Sequence, residues 1–134
     1  EGGMVSVGLL DKVLYVDRER RQVTVQAGAT VGDVLKALRP YGLTLQNLAS
    51  ISEQQVGGFT QVGAHGTGAA LPTVDAQVVA MKLVTPAEGT LALSEGAEPE
   101  LFKLARVGLG GLGVVSELTL QCVEAHQLEE RTFV

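Results

Sequence analysis

A single cysteine, Cys122, occurs in 134 residues, which excludes an internal disulfide and any metal cluster built on thiolates. Tryptophan is absent, and aromatic residues make up only 4% of the chain. Cations are scarce as well: ten Lys and Arg stand against fifteen Asp and Glu, for a formal net charge of −5. That balance argues against nucleic acid as a partner, because neutralising a phosphate backbone needs clustered basic side chains. No apolar run approaches the roughly 18 residues that a membrane-spanning helix needs. The opening Glu1-Gly2-Gly3 has neither a basic start nor an apolar run, so no signal peptide is read there. What the chain does have is 46% hydrophobic residues, enough for a core. It also has 17 glycines, about 13% of its length against roughly 7% in average proteins. That excess points to a function that uses backbone more than side chains.

Periodicity and turn chemistry predict two strands, residues 13–17 and 22–28, joined as a hairpin by the charged residues 18–21. Thr30 is placed to cap a helix, with Asp33 completing a short capping box. Val31, Val34, Leu35 and Leu38 form its apolar stripe, and Pro40 and Gly42 end it. Residues 43–50 show no clean period. Ser50 or Ser52 is expected to cap a short helix running to about Gln61, in which Gly57 and Gly58 admit a close neighbour. Strands are expected at 77–85 and 90–93, a helix at 98–106 with Pro99 early, and a last strand at 114–123. This order lacks a regular βαβ alternation and reads as an α+β fold.

Two glycine-rich runs compete for the role of phosphate or cofactor loop. Gly108-Leu109-Gly110-Gly111-Leu112-Gly113 satisfies G-x-G-x-x-G. That fingerprint works when a strand precedes it and a helix follows, so that a pyrophosphate meets the positive end of the helix. Here a helix precedes and a strand follows. The run therefore reads as a helix end passing tightly into a buried strand, or as a turn that brings backbone close to a flat ligand. Gly63-Ala64-His65-Gly66-Thr67-Gly68 serves no regular element of its own. It reads either as a tight structural turn or as a nest of convergent N–H groups around an anion. No Lys or Arg occurs from residue 43 to 81, so an anion held there must be satisfied by backbone dipoles.

The remaining reactive side chains point to no catalytic set. His65 has no acidic neighbour in sequence and no second clustered His, which argues for a structural role over metal ligation. His126 lies in a polar run and reads as solvated, while Cys122 reads as a small core residue. Ser50 and Ser52 have no His–Asp partnership, and no G-x-S-x-G elbow occurs. Glu53 could serve as an acid or base but is equally explained by solvation.

Leu45-Gln46-Asn47-Leu48-Ala49-Ser50-Ile51-Ser52-Glu53-Gln54-Gln55-Val56-Gly57-Gly58, followed by Gln61-Val62-Gly63-Ala64-His65-Gly66-Thr67-Gly68-Ala69, resembles the FAD-binding domain of the vanillyl-alcohol oxidase (PCMH) type. Within it, the chain is similar to the aldonolactone oxidoreductases. The likeness runs from about Met4 to Val134 and takes in Leu83-Val84-Thr85-Pro86 and residues 108–123. It implies FAD held between two small α+β subdomains under a separate cap domain. Residues 1–42 would end the first subdomain and 43–134 would form the second, a partial PCMH-type domain without its cap. By matching motifs, Ser50, Gln55 and Gly58 fall at the phosphate–ribityl region of the cofactor. Val62, Gly63, Ala64 and His65 fall along the isoalloxazine and pyrophosphate, and Val115 at the adenine end. Ala49 stands where related oxidases typically carry Gly beside the flavin. A methyl group there obstructs dioxygen, which implies a dehydrogenase and not a peroxide-forming oxidase.

The same resemblance implies a small-molecule aldonolactone substrate in ascorbate biosynthesis and cytochrome c as electron acceptor. It places the protein at the mitochondrial inner membrane, facing the intermembrane space. Association with assembling respiratory complex I follows from it too, which leaves a non-catalytic assembly subunit as a second reading. A related FAD-dependent sugar or alditol oxidase is a third. The family's substrate-side Glu and Arg belong to the cap and its flavin-attaching loop lies ahead of residue 1, so no catalytic residue is assigned among the 134.

Overall fold

Alternation of β-branched and polar residues builds the first hairpin, β1 (Val13–Asp17) and β2 (Gln22–Gln26), in the computed structural model, which describes residues 3–129, 131 and 132. Val23 and Val25 are fully buried, while the intervening Thr24 is half-buried on the opposite face. The expected strand to residue 28 stops at Gln26, because the Ala27 and Gly28 amides turn away to bond Ser116 O and Leu10 O. Helix α1 (Val31–Leu38) starts where the capping pattern places it. Thr30 Oγ1 accepts the Asp33 N–H at 3.1 Å and donates to Asp33 Oδ2 at 2.7 Å. A 3₁₀ turn over Arg39–Tyr41 and Gly42 at φ +64° end it.

Gly42 leads directly into β3 (Leu43–Leu45), a three-residue strand too short to show a period. Helix α2 (Val56–Gln61) corrects the expected start: neither the Ser50 nor the Ser52 side chain caps it, and Gln55 stands at the N-cap without a side-chain bond. The physical reason is that main chain does the capping. Val56 N–H donates to Ala29 O at 2.9 Å and Gly57 N–H to Ala27 O at 2.8 Å, satisfying first-turn amides that a Ser would otherwise serve. A 3₁₀ turn, Val74–Gln77, precedes β4 (Val78–Thr85) and claims Gln77 from the expected strand. Then follow β5 (Gly89–Ser94), α3 (Pro99–Arg106) and β6 (Val114–Glu124).

All pairing is antiparallel, in the order β1-β2-β6-β4-β5, with β3 on the far end of β6. Strands on both sides of residue 42 thus pair within one sheet. The buried residues Val34, Leu38, Val56, Phe59 and Phe102 come from the helices. With Val23, Val25, Leu83, Leu118 and Leu120 of the strands they make one core. Polar pairs lie across the other face: Thr24 to Thr119 at 3.0 Å and Lys82 to Glu117 at 3.0 Å.

One irregularity matters for the site. β6 pairs Glu117 with Lys82 but Val115 with Leu83, leaving Ser116 as an extra residue. Such a bulge resets the alternation. Counting back by twos from buried Leu118 would turn Ser116 inward; instead Val115 is inward, at 6% exposure. Among the described residues no helix is long and apolar enough to cross a membrane.

Candidate functional site

The geometry of the site starts from two adjacent glycines on α2. A Cβ on Gly57 would lie 2.9 Å from Ala27 Cβ and 3.1 Å from Ala27 O, so only glycine lets α2 sit on the turn after β2. Gly58 is the opposite case. It is exposed, a Cβ there would meet nothing within 4 Å, and among the described residues its N–H has no partner. Open space beside a helix is what a cofactor-binding flank requires.

That space is a slot of about 400 Å³. Gly57, Gly58, Gln61 and Val62 form one wall, and Leu109, Gly110, Gly113, Val114 and Val115 form the other, with Ala27 at the base and Val5 and Val7 of the irregular segment before β1 along it. Among the described residues no titratable side chain lines it. The second wall is the G-x-G-x-x-G run, and its glycines are needed for shape. Gly110 has φ +75°, and Gly113 has φ +150° with its absent Cβ only 2.5 Å from Val84 O. The run is therefore a helix-to-strand turn, and it also brings backbone close to whatever fills the slot. Glycines at 57, 58, 110 and 113, with apolar side chains between them, leave room for a flat ring.

The run 63–68 corrects one expectation. The amides of Val62, Gly63 and Ala64 fold back onto Gly58, Thr60 and Phe59 carbonyls at 3.3, 3.0 and 3.2 Å, closing the end of α2. Gly66 N–H donates to Asn47 Oδ1 at 2.8 Å. Of the seven amides from 62 to 68, only those of His65, Thr67 and Gly68 lack a partner among the described residues. The full nest of convergent donors does not form, because a helix end consumes the donors nearest to it. An anionic bridge has these three amides and that of Gly58 to draw on.

Asn47 organises this side of the site and was not singled out from the sequence. It is 4% exposed, and besides holding Gly66 its Nδ2 donates to Pro72 O at 2.6 Å. A Cβ on Gly66 would lie 2.4 Å from Leu48 O, so the loops 46–50 and 63–68 run in direct contact. The only signal was a lone Asn in a largely apolar stretch next to a glycine-rich run. His65 is exposed, with Nδ1 3.0 Å from Gly66 O, and among the described residues no group of His, Cys, Asp or Glu could hold a metal ion.

The nine residues singled out in sequence thus fall into two neighbouring sets. Gly58, Val62 and Val115 meet in the slot, with Gly63, at φ +60°, one step past it. Ala49 and Ser50 lie on one loop and Ala64 and His65 on the other, joined through Asn47; Ala49 and Ala64 are half-buried against the core. Gln55 heads α2 and bridges to Thr30. A glycine-walled apolar slot, free main-chain donors and no cation from 43 to 81 fit a dinucleotide with an aromatic end.

Residues 1–93 match the family model described as the FAD binding domain. The chain is 67% identical over 132 residues to L-galactono-1,4-lactone dehydrogenase 1, mitochondrial, of Oryza sativa subsp. japonica, covering 98% of this chain and 23% of that protein. It is 64% identical over 132 residues to the L-galactono-1,4-lactone dehydrogenase, mitochondrial, of Arabidopsis thaliana, covering 98% of this chain and 22% of that one. Among solved structures, 6-hydroxy-D-nicotine oxidase from Arthrobacter nicotinovorans superposes with a TM-score of 0.79 at 22% identity, over 87% of this chain and 25% of that one. That likeness shows the α+β fold. The chain spans less than a quarter of the length of these two curated relatives.

Proposed function

The chain belongs to the FAD binding domain family, and from that premise we propose that it is the FAD-holding part of an L-galactono-1,4-lactone dehydrogenase. The observation that carries the proposal is the uncharged, glycine-walled slot uniting Gly58, Val62 and Val115, in a chain with this degree of identity to such enzymes. FAD, when bound, supplies the acceptor for the electron pair taken from the substrate. The chain's own residues bind, orient and shield. In this proposal Val115 and the glycine walls take the adenine end. Ser50, Gln55 and Gly58 meet the phosphate–ribityl part, and Val62, Gly63, Ala64 and His65 run beside the remainder, with His65, Thr67 and Gly68 offering free amides.

Ala49 sits half-buried on the loop beside Ala64 and His65, and its methyl group limits the approach of dioxygen. Electrons then pass to cytochrome c. The mitochondrial inner membrane, on its intermembrane-space side, is the proposed location, supported at the coarser level by the word mitochondrial in both relatives' names. Among the described residues no titratable side chain lines the slot, and no proton-handling step is assigned to it.

The test is a visible spectrum of the full-length protein together with lactone-dependent reduction of cytochrome c in air. A flavin spectrum, lactone turnover and little peroxide are expected. A folded, colourless, lactone-inactive protein that co-purifies with respiratory-complex subunits would overturn the enzyme in favour of an assembly subunit.

A further inference from the structure

Helix α3 ends without a glycine. Val107, which follows it, has φ −129° and ψ 56°, so no left-handed residue folds the chain back over the last turn. The final carbonyls need donors from elsewhere. Gln61, at the end of α2, supplies them: its Nε2 lies 2.6 Å from Ala105 O and 3.2 Å from Arg106 O. Its main chain holds the next stretch, since Leu109 N–H donates to Gln61 O at 3.3 Å. One residue thus grips the chain on both sides of Gly108. Gly108 leaves room for the grip, because a Cβ there would lie 3.1 Å from Gln61 Oε1. Just beyond, Leu109 takes φ +52°, a conformation that costs a side-chain-bearing residue roughly 1–2 kcal/mol and persists only where neighbours enforce it.

We propose that Gln61 is a positioning residue that holds the turn 108–113 against α2 and so sets the width of the slot for the adenine end of FAD. This rests on the flavin function proposed above. The chemistry calls for an amide. A Gln side chain has two N–H groups and serves two carbonyls at once. A carboxylate of the same shape has none, and it sets a negative charge against the negative end of α3.

The test is Gln61→Glu in the full-length apoprotein, read two ways. Amide hydrogen exchange at residues 109–113, without flavin, reports the grip itself. Titration with FAD and with FMN, which lacks the adenylate, reports its consequence. Exchange at Leu109 is expected to quicken. FAD affinity is expected to fall about tenfold while FMN affinity holds. FAD affinity should recover as pH is lowered towards ~4, where the introduced carboxyl regains a donor. Unchanged exchange overturns the grip whatever flavin does. Equal losses of FAD and FMN, with a lower melting temperature, overturn the positioning role in favour of general damage. If wild-type protein binds neither flavin while exchange still responds, the flavin function fails and the cofactor half of the inference falls with it. Should Gln61→Glu not fold, Gly108→Ala presses on Gln61 Oε1 from the other side. The same FAD-selective loss is expected there, and an unchanged FAD-to-FMN ratio overturns the proposal.

Discussion

Gly58→Ala should stabilise the apoprotein and weaken its hold on FAD, two effects of opposite sign from one methyl group. Inside a helix, glycine costs roughly 0.5–1 kcal/mol relative to alanine through the backbone freedom it surrenders. At Gly58 nothing offsets that gain, because an added Cβ meets no protein atom within 4 Å. The open space it enters is the slot that Gly58 lines. A methyl group forced against a close-packed ligand costs about 1–3 kcal/mol, or ~5–150-fold in Kd. Gly57→Ala is the internal control. Its Cβ would press on Ala27 at 2.9 Å and destabilise the fold itself, by about 1–3 kcal/mol. Melting of the two full-length apoproteins and FAD titration separate the effects. FAD binding by Gly58→Ala as tight as wild type would show that the slot does not hold the cofactor. Melting shifts of the same sign in both variants would show that the steric accounting is wrong.

Ala49→Gly in the complete enzyme should raise the rate of reoxidation by dioxygen, with peroxide formed; unchanged peroxide yield in stopped-flow reoxidation counts against the shielding role. Asn47→Ala leaves Gly66 N–H and Pro72 O without their shared partner and should cost about 2–3 kcal/mol, visible as a lower melting temperature together with weaker FAD binding. Burial pushes the Cys122 thiol up from 9.0 to about 11, so the folded chain keeps a proton that the unfolded chain loses between those values. Stability from this residue is therefore intact below pH 9.0 and declines as pH rises towards about 11. Cys122→Ala should flatten that alkaline slope, and thiol reagents at neutral pH should label the wild type only on unfolding.

Local patterns carried most of the elements into view. The stripe of Val31, Val34, Leu35 and Leu38 behind Thr30 and the alternation read at 22–28 depend only on neighbours in sequence; the helix formed as read, and the strand formed over 22–26, two residues short. The start of α2 was misread because its caps come from the carbonyls of Ala27 and Ala29, almost thirty residues away, and not from Ser50 or Ser52. β3 was invisible because three residues have no period, and only pairing with Cys122 and Glu124 makes them a strand. In the run 62–68, read from sequence as either a tight turn or a nest, the amides of Val62, Gly63 and Ala64 close α2 and that of Gly66 is held by Asn47, contacts that no local pattern shows.

What the residues alone determined is the kind of surface on offer: abundant glycine, no cation from 43 to 81 and apolar neighbours, a composition that must meet an anion with main-chain and neutral polar groups. What tertiary structure decided is where that surface lies. A bulge at Ser116 turns Val115 inward, Gly57 seats α2 against Ala27, and Gln61 draws the turn after α3 alongside. Each depends on contacts between segments far apart in the chain, whose energies no local pattern records.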